Sequence, residues 1–337
     1  MLYVLLGKEV AKSALRNLKL PNPQNCAKIK AKSQLTKSQF ERINQMKNLA
    51  KIATKGVANL AKNMTKGLIA TFMAALGIVG LGVSLSGCGD EARTLESIKA
   101  KNELIIGVFG DKPPFGYINE QGQNVGFDVY VAKRLGRELL GGDEGVKFVL
   151  VEAANRAEFL RSNKVDIMMA NYTKTPERAQ QVDFATPYMK VALGVVSQDG
   201  KIIDVSQLAG KVLIVNKGTT ADFYFTKNHP EIKLLKFEQN TETFAALKDG
   251  RGDALAHDNA LLFAWAKENP SYAVGIKKLG EDDVIAPAVK KDNKELLEWI
   301  NNQMEILAKE GFFTEAYNQT LAPVFGDDIK PSDVVFE

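Results

Sequence analysis

The 337 residues include only two cysteines, two histidines and two tryptophans. Cys26, Cys88, His229 and His257 form no cluster with the usual zinc-ligand spacings, so neither a metal, a cofactor nor Cys–His catalysis is expected. No cysteine follows Cys88, so the long remainder cannot form a disulfide within itself and must draw its stability from its core. Acidic residues are scarce at the start of the chain, where residues 1–87 carry 14 Lys/Arg against only Glu9 and Glu41. The net charge of +4 is therefore the sum of a strongly basic start and an acidic remainder of 30 Lys/Arg and 38 Asp/Glu. An acidic globular part is repelled by phosphate, which argues against nucleic acid as a partner. At 45% hydrophobic and 25% charged, the composition is that of an ordinary globular protein with one large or two medium domains.

One long apolar run is present. Residues 67–87, GLIATFMAALGIVGLGVSLSG, carry no charge and follow Lys62 and Lys66, the pattern of an export signal. The run ends in Leu85-Ser86-Gly87-Cys88, which resembles the lipobox of bacterial lipoproteins, where the cysteine is lipidated and becomes the first residue after cleavage. Small residues at 86 and 87 admit a peptidase to extended backbone, and the Cys88 thiol accepts the lipid. Each buried methylene contributes about 0.8 kcal/mol, so several acyl chains hold where one would not. The alternative is an uncleaved membrane helix, for which the length just suffices, although five glycines weaken it. This predicts a lipid-anchored protein at the periplasmic face of a membrane or at the cell surface. Residues 64–87 read as the signal, 1–63 as a basic extension. Met46 and Met64 would each start a signal of ordinary length, so an initiation site assigned too early is the preferred reading of 1–63.

Beyond Cys88, residues 88–102 are polar and read as a tether. Leu104–Val108 reads as a strand, followed by a loop broken by Pro113 and Pro114. Phe127, Val131, Leu135 and Leu139 lie at helical spacing within 127–140. A strand at 146–151, a helix at 156–163 and a strand at 166–170 follow. A second series begins near Val195, with strands at 213–215, 234–237 and 253–256, and helices at 221–228 and 241–248. A long amphipathic helix at 294–310 and a last one at 314–321 close the pattern, leaving 327–337 as a tail. The alternation predicts an α/β fold with mostly parallel sheets.

The run from Asp166 through Ala170-Asn171-Tyr172-Thr173 to Pro176-Glu177-Arg178, continued by Val182-Asp183-Phe184-Ala185-Thr186-Pro187-Tyr188, resembles the signature of type II amino-acid-binding proteins of ABC importers. Gly126-Phe127-Asp128, the Asn216–Thr220 segment and Ala254–Asn259 extend the likeness over about 103–326. The segments GVFGDKPPFGY, VEAANR, NKGTTAD, QNTETFAAL and AHDN look most like those of cysteine-binding receptors. The resemblance implies a two-lobed periplasmic binding protein with two crossover hinge strands. Lobe 1 would comprise 103–190 and 286–326, and lobe 2 would comprise 191–285. It further implies a monomer that is not an enzyme, and an ABC permease with a cytoplasmic ATPase as partner.

Such a site must bury a zwitterion, and each charged end needs an opposite charge with hydrogen bonds. Arg178 can fork onto the α-carboxylate as a lysine cannot, and the resemblance places Thr173 beside it. Thr219 and Thr220 stand at a strand-to-helix turn, where free N–H groups favour an anion, although either could simply cap the helix. The resemblance implies that Asp258 and the Asn171 carbonyl hold the ammonium. Asn171-Tyr172 departs from the family's more frequent glycine and would narrow the pocket. Asp111 and Phe115 stand where the family supplies a side-chain wall, the latter offering a ring for a thiol. Arg156 stands where receptors for acidic amino acids can reach the ligand side chain, so an inward orientation would favour aspartate or glutamate. L-cysteine is the favoured ligand, with glutamate, aspartate, glutamine and cystine as alternatives. A dehydratase-type enzyme on the same fold is the rival of another class, although no separate acid–base pair is evident.

Overall fold

The computed structural model describes residues 92–336. The basic extension, the apolar run and the Cys88 lipobox lie outside the described residues. The described part is built around two five-stranded sheets, each laid down by its own run of apolar strands. In the first, β1 (Leu104–Val108) lies parallel between β5 (Val146–Leu150) and β6 (Ile167–Met168). β13 (Ala288–Lys290) then runs antiparallel to both β6 and β7 (Val182–Phe184). In the second sheet, β9 (Val212–Asn216) lies parallel between β10 (Lys233–Phe237) and β11 (Ala254–Asp258). β8 (Met189–Gln198) and β12 (Tyr272–Ile285) complete it as antiparallel strands. Three very short strands, β2 (Asp111–Lys112), β3 (Gly116–Ile118) and β4 (Asn124–Val125), make a small separate sheet.

β8 and β12 are the two crossover strands that the fold requires, and they meet at the hinge, where Met189 pairs with Ile285. Eight of the ten β8 positions are apolar or small and all eight are buried, as expected for a strand covered on both faces. The helices cover the sheets with narrow apolar faces. In α2 (Phe127–Leu140), Phe127, Val131, Leu135 and Leu139 are all buried. Gly136 lets this helix press on β5, since a Cβ there would lie 2.2 Å from the Val146 Cγ2.

Two expectations change. The tether reading stops short of 102, because residues Leu95–Lys101 fold as α1, capped by the Thr94 hydroxyl, which accepts from the Ser97 N–H. Leu95 and Ile98 share one face, and Ile98 is fully buried. The 327–337 segment, read as a tail, is also tied down over its described residues. Lys330 N–H donates to the Asp333 carboxylate, Val334 and Val335 are buried, and Val335 bridges to Met189 at the hinge. No helix among the described residues is long and apolar enough to cross a membrane.

The remaining helices that bear on the site follow strands, directly or after a short loop. They are α3 (Arg156–Arg161), α4 (Pro176–Ala179), α5 (Thr220–Asn228), α6 (Asn240–Lys248) and α7 (Asn259–Glu268). The carboxyl ends of β1, β5 and β6 therefore meet those of β9, β10 and β11, the place where open α/β sheets put their ligands.

Candidate functional site

Two guanidinium groups project from the first sheet. Arg178 lies in α4, whose start is fixed by Pro176 and by the Thr175 hydroxyl accepting from the Arg178 N–H at 3.2 Å. Its Nη1 donates to the Thr173 carbonyl at 2.8 Å and its Nη2 to the Gly218 carbonyl of the second lobe at 3.1 Å. Arg156 opens α3 and is almost wholly buried. It donates to the carbonyls of Ala153, Ala170 and Asn171 at 3.0, 3.1 and 3.1 Å, and to Gly218 at 3.3 Å. Both pack against the Tyr172 ring, with guanidinium carbons 4.3 Å (Arg156) and 4.9 Å (Arg178) from its centroid. The negative ring face offsets part of the repulsion between neighbouring cations. Burial and Arg178 push the Arg156 guanidinium down to about 9, which leaves it ionised at neutral pH.

The second lobe contributes a carboxylate. Asp258 ends β11, is 5% exposed, and its Oδ2 accepts from Lys112 Nζ at 2.7 Å. Lys112 is 2% exposed and also donates to Asn171 Oδ1 at 2.6 Å. Burial alone would raise the Asp258 carboxyl, but the Lys112 ammonium holds it well below the ordinary carboxylate range. His257 Nδ1 accepts from the Asp258 N–H at 2.7 Å, so its Nε2 carries the proton toward Asn240 Oδ1 at 3.2 Å. Burial and Lys112 push this imidazole down, and it stays neutral as a structural group.

Behind Asn171 lies a second, wholly buried carboxyl. Asp128 accepts from the Asn171 N–H and from the Tyr188 hydroxyl, both at 2.7 Å, and burial raises it to about 7. In the unfolded chain it would titrate near 3.9. Between those values the folded state holds the extra proton, so this group lowers stability as pH rises from about 4 to about 7. Asp128→Asn keeps an acceptor for Asn171 and a donor for the tyrosine oxygen. Denaturant titrations across that window should find its stability flatter with pH than the wild type's.

The positions singled out in the sequence converge unevenly. Asn171, Tyr172, Thr173, Arg178, Arg156 and Asp258 share one site. Arg156 points inward rather than to the surface. Asp111 instead faces the lobe junction, where its carboxylate accepts from the Asn240 backbone N–H at 2.7 Å and the Asn240 side-chain amide at 2.9 Å. Phe115 is fully buried in the core, with its ring centroid 5.8 Å from Lys112 Nζ. Thr219 is the N-cap of α5: its hydroxyl accepts from the Asp222 N–H and donates to the Asn216 carbonyl at 2.6 Å. The Gly218 N–H is taken by the Asp222 carboxylate at 2.9 Å. That leaves the first-turn amides of Thr220 and Ala221, which have no intrahelical acceptor, as the donors for an anion here. Asp258 precedes α7 but its side chain makes no capping bond.

Sequence reasoning missed Lys112 and Gly218. The alternation of a strand turns Lys112 inward when Asp111 faces out, but β2 is too short for that pattern to be read. Gly218 has φ +76°, and a Cβ there would lie 2.6 Å from Ala154 Cα of the opposite lobe. Glycine is thus needed both for the turn and for the close approach. Among the described residues no group of three or more His, Cys, Asp or Glu is placed to hold a metal ion. A separate groove of about 440 Å³ lies beyond Asp111, lined by Pro113, Pro114, Phe244, Trp265 and Val324 among others. It has no buried cation for a carboxylate, so the charged cluster is the better candidate.

Two α/β lobes joined by two strands, with buried opposite charges where their strand ends meet, are the architecture of a solute receptor. The profile of the bacterial extracellular solute-binding proteins, family 3, matches residues 104–322. The chain belongs to this family. A solved structure of the solute receptors for L-cysteine of Neisseria gonorrhoeae is similar at 60% identity and a TM-score of 0.71, covering 72% of this chain and 100% of that one. The cysteine-binding protein of Campylobacter jejuni is similar at 61% identity and a TM-score of 0.71, covering 72% of this chain and 98% of that one. The ABC transporter glutamine-binding protein of Bacillus subtilis (strain 168) is 33% identical over 229 residues, covering 67% of this chain and 84% of the relative. This family 3 protein is an amino-acid-binding receptor of the ABC-importer class, and its relatives are receptors rather than enzymes. The neisserial chain is matched over its whole length, so the part of this protein that aligns with it is sufficient for the fold.

Proposed function

We propose that the protein is a lipid-anchored extracytoplasmic receptor that captures L-cysteine and delivers it to an ABC permease by ligand-stabilised closure of its lobes. The observation that carries this reading is the two-sided charged clamp. Arg178 and Arg156 on one lobe reach Gly218 on the other, and Asp258 of the second lobe meets Lys112 of the first. In this reading Arg178, the Thr173 N–H and the α5 amides at Thr220 receive the α-carboxylate. Asp258 and the Asn171 carbonyl receive the ammonium. Tyr172 and Phe115 narrow and wall the side-chain pocket, and Thr219 and Asp111 position the elements around it. Lobe 1 spans 103–190 and 286–326, lobe 2 spans 191–285, and Cys88 carries the lipid. A ligand that touches both lobes favours the closed state only by its differential affinity for it. A micromolar Kd would correspond to about −8 kcal/mol.

The relatives named for L-cysteine support that ligand. A receptor for aspartate or glutamate is the second reading, favoured by the inward guanidinium of Arg156. A dehydratase finds less support, since Asp258 is committed to Lys112 and Asp128 to Tyr188 and Asn171. Isothermal titration of residues 89–337, freed of carried-over ligand, tests the proposal against L-cysteine, L-cystine, glutamate, aspartate and glutamine under reducing and non-reducing conditions. Heat with L-cysteine in preference to the others is expected. A preference for an acidic amino acid would move the specificity to Arg156, and no heat with any of them would contradict a receptor role.

A further inference from the structure

We propose that the site takes an amino acid whose side chain is anionic, and that L-cysteine is bound there as its thiolate, with the Lys112 ammonium as the partner of the sulfur. The inference rests on the reading of the charged cluster as the ligand site and of L-cysteine as its ligand. It comes from a charge count. Lys112, Arg156 and Arg178 are buried cations, and among the described residues Asp258 is the buried carboxylate ion-paired with them. The groups facing them from the surrounding elements do not balance this excess. His257 on β11 is neutral, the Tyr188 hydroxyl ahead of β8 is protonated, and Asp283 on β12 is only half-buried beside Arg178. Glu177, next to Arg178, is exposed, Asp111 beside Lys112 is half-buried and bonded to Asn240, and the buried Asp222 on α5 is paired with Lys236. Asp128 on α2 removes one positive charge only when it is ionised.

The buried cluster therefore holds an excess of one or two positive charges. A zwitterion with a neutral side chain leaves that excess unchanged, because its carboxylate and ammonium cancel. One further negative charge on the side chain reduces it, and an uncompensated buried charge is costly in proportion to its isolation. A basic side chain would worsen the imbalance.

Lys112 is placed to meet that charge. An ammonium has three donors, and two of them reach Asp258 Oδ2 and Asn171 Oδ1. Asp258 Oδ1 makes no hydrogen bond among the described residues, so a ligand ammonium can take it while Lys112 stays on Oδ2. The Phe109 and Phe115 ring centroids lie 5.5 and 5.8 Å from Nζ, giving the third donor an apolar, polarizable setting that suits sulfur. No covalent step is involved: the thiol proton leaves to buffer, and the thiolate stays with Lys112.

The test is titration of L-cysteine into residues 89–337 at about pH 7, below the ordinary thiol pKa of ~8.5, in buffers of low and high ionisation enthalpy. About one proton released per ligand is expected, together with a thiolate ultraviolet band. The band belongs to the ligand, because this segment contains no cysteine. S-methyl-L-cysteine, whose side chain cannot ionise, should release no proton and bind at least ~10-fold more weakly. Lys112→Met should abolish the thiolate band; if that variant does not fold, the wild-type buffer series decides. Binding of L-cysteine with neither proton release nor a thiolate band would overturn the proposal while leaving the receptor reading intact. Binding of L-aspartate alone, without proton release, would keep the anionic side chain and remove cysteine. Absence of binding to either would overturn both.

Discussion

Arg178→Ala should weaken amino-acid binding by ~100-fold or more, since removing one partner of a buried, hydrogen-bonded charge pair costs about 2–5 kcal/mol. The fold should survive. Among the described residues the side chain of Arg178 bonds only to the carbonyls of Thr173 and Gly218, and α4 is started by Thr175 and Pro176 without that side chain. Arg178→Lys should rescue little, because an ammonium cannot reproduce two parallel bonds in the plane of a carboxylate. Calorimetric titration paired with thermal melting separates the two effects. A variant that melts like the wild type and still binds with wild-type affinity would remove Arg178 from the site.

Asp258→Ala should damage both binding and stability. It leaves the Lys112 ammonium buried with only the Asn171 side-chain carbonyl as acceptor. Breaking a buried pair from one side costs about 3–5 kcal/mol, which for a domain of this size lowers the melting temperature by about 10 °C. The pairing also predicts a compensation. Removing the stranded cation as well, in the double variant Asp258→Ala with Lys112→Met, should recover much of the stability and none of the binding. A double-mutant cycle by chemical denaturation reads the coupling directly. Additive losses would mean that the two residues do not stabilise one another.

What the sequence revealed followed from the range of each signal. α2 shows itself through Phe127, Val131, Leu135 and Leu139, which repeat over four turns. The long helix α8 (Lys294–Lys309) does the same through Leu296, Ile300, Met304 and Leu307. β1, β9 and β11 read as short apolar runs because both faces are covered. The small sheet of β2, β3 and β4 was not foreseen, since strands of two or three residues carry no periodicity. α1 was read as a tether because a single apolar face of two residues does not stand out from a polar stretch.

At the site, the family signature fixes the positions of Arg178, Thr173 and Asp258 relative to one another, and so groups them from the sequence. The pairing of Lys112 with Asp258 joins residues 146 apart in sequence. No local pattern announces such a pair, and only the meeting of two sheets reveals it. The Gly126-Phe127-Asp128 motif gives Asp128 no role by itself, because its raised carboxyl depends on burial by residues remote in sequence. Thr219 caps its helix, as expected of a hydroxyl at the start of a helix.

The central claim is that ligand bridges two hinged lobes. It is tested most directly by measuring the distance between them with and without L-cysteine. Leu150 on the first lobe and Phe223 on the second are both exposed, and the cysteine-free segment 89–337 allows Leu150→Cys and Phe223→Cys to be labelled uniquely. Spin labels attached through thioethers withstand free cysteine, and double electron–electron resonance then gives the distance distribution. L-cysteine should draw a broad distribution into one short, narrow peak, and Arg178→Ala should abolish that response. Identical distributions with and without a ligand that is bound at saturation would contradict the account.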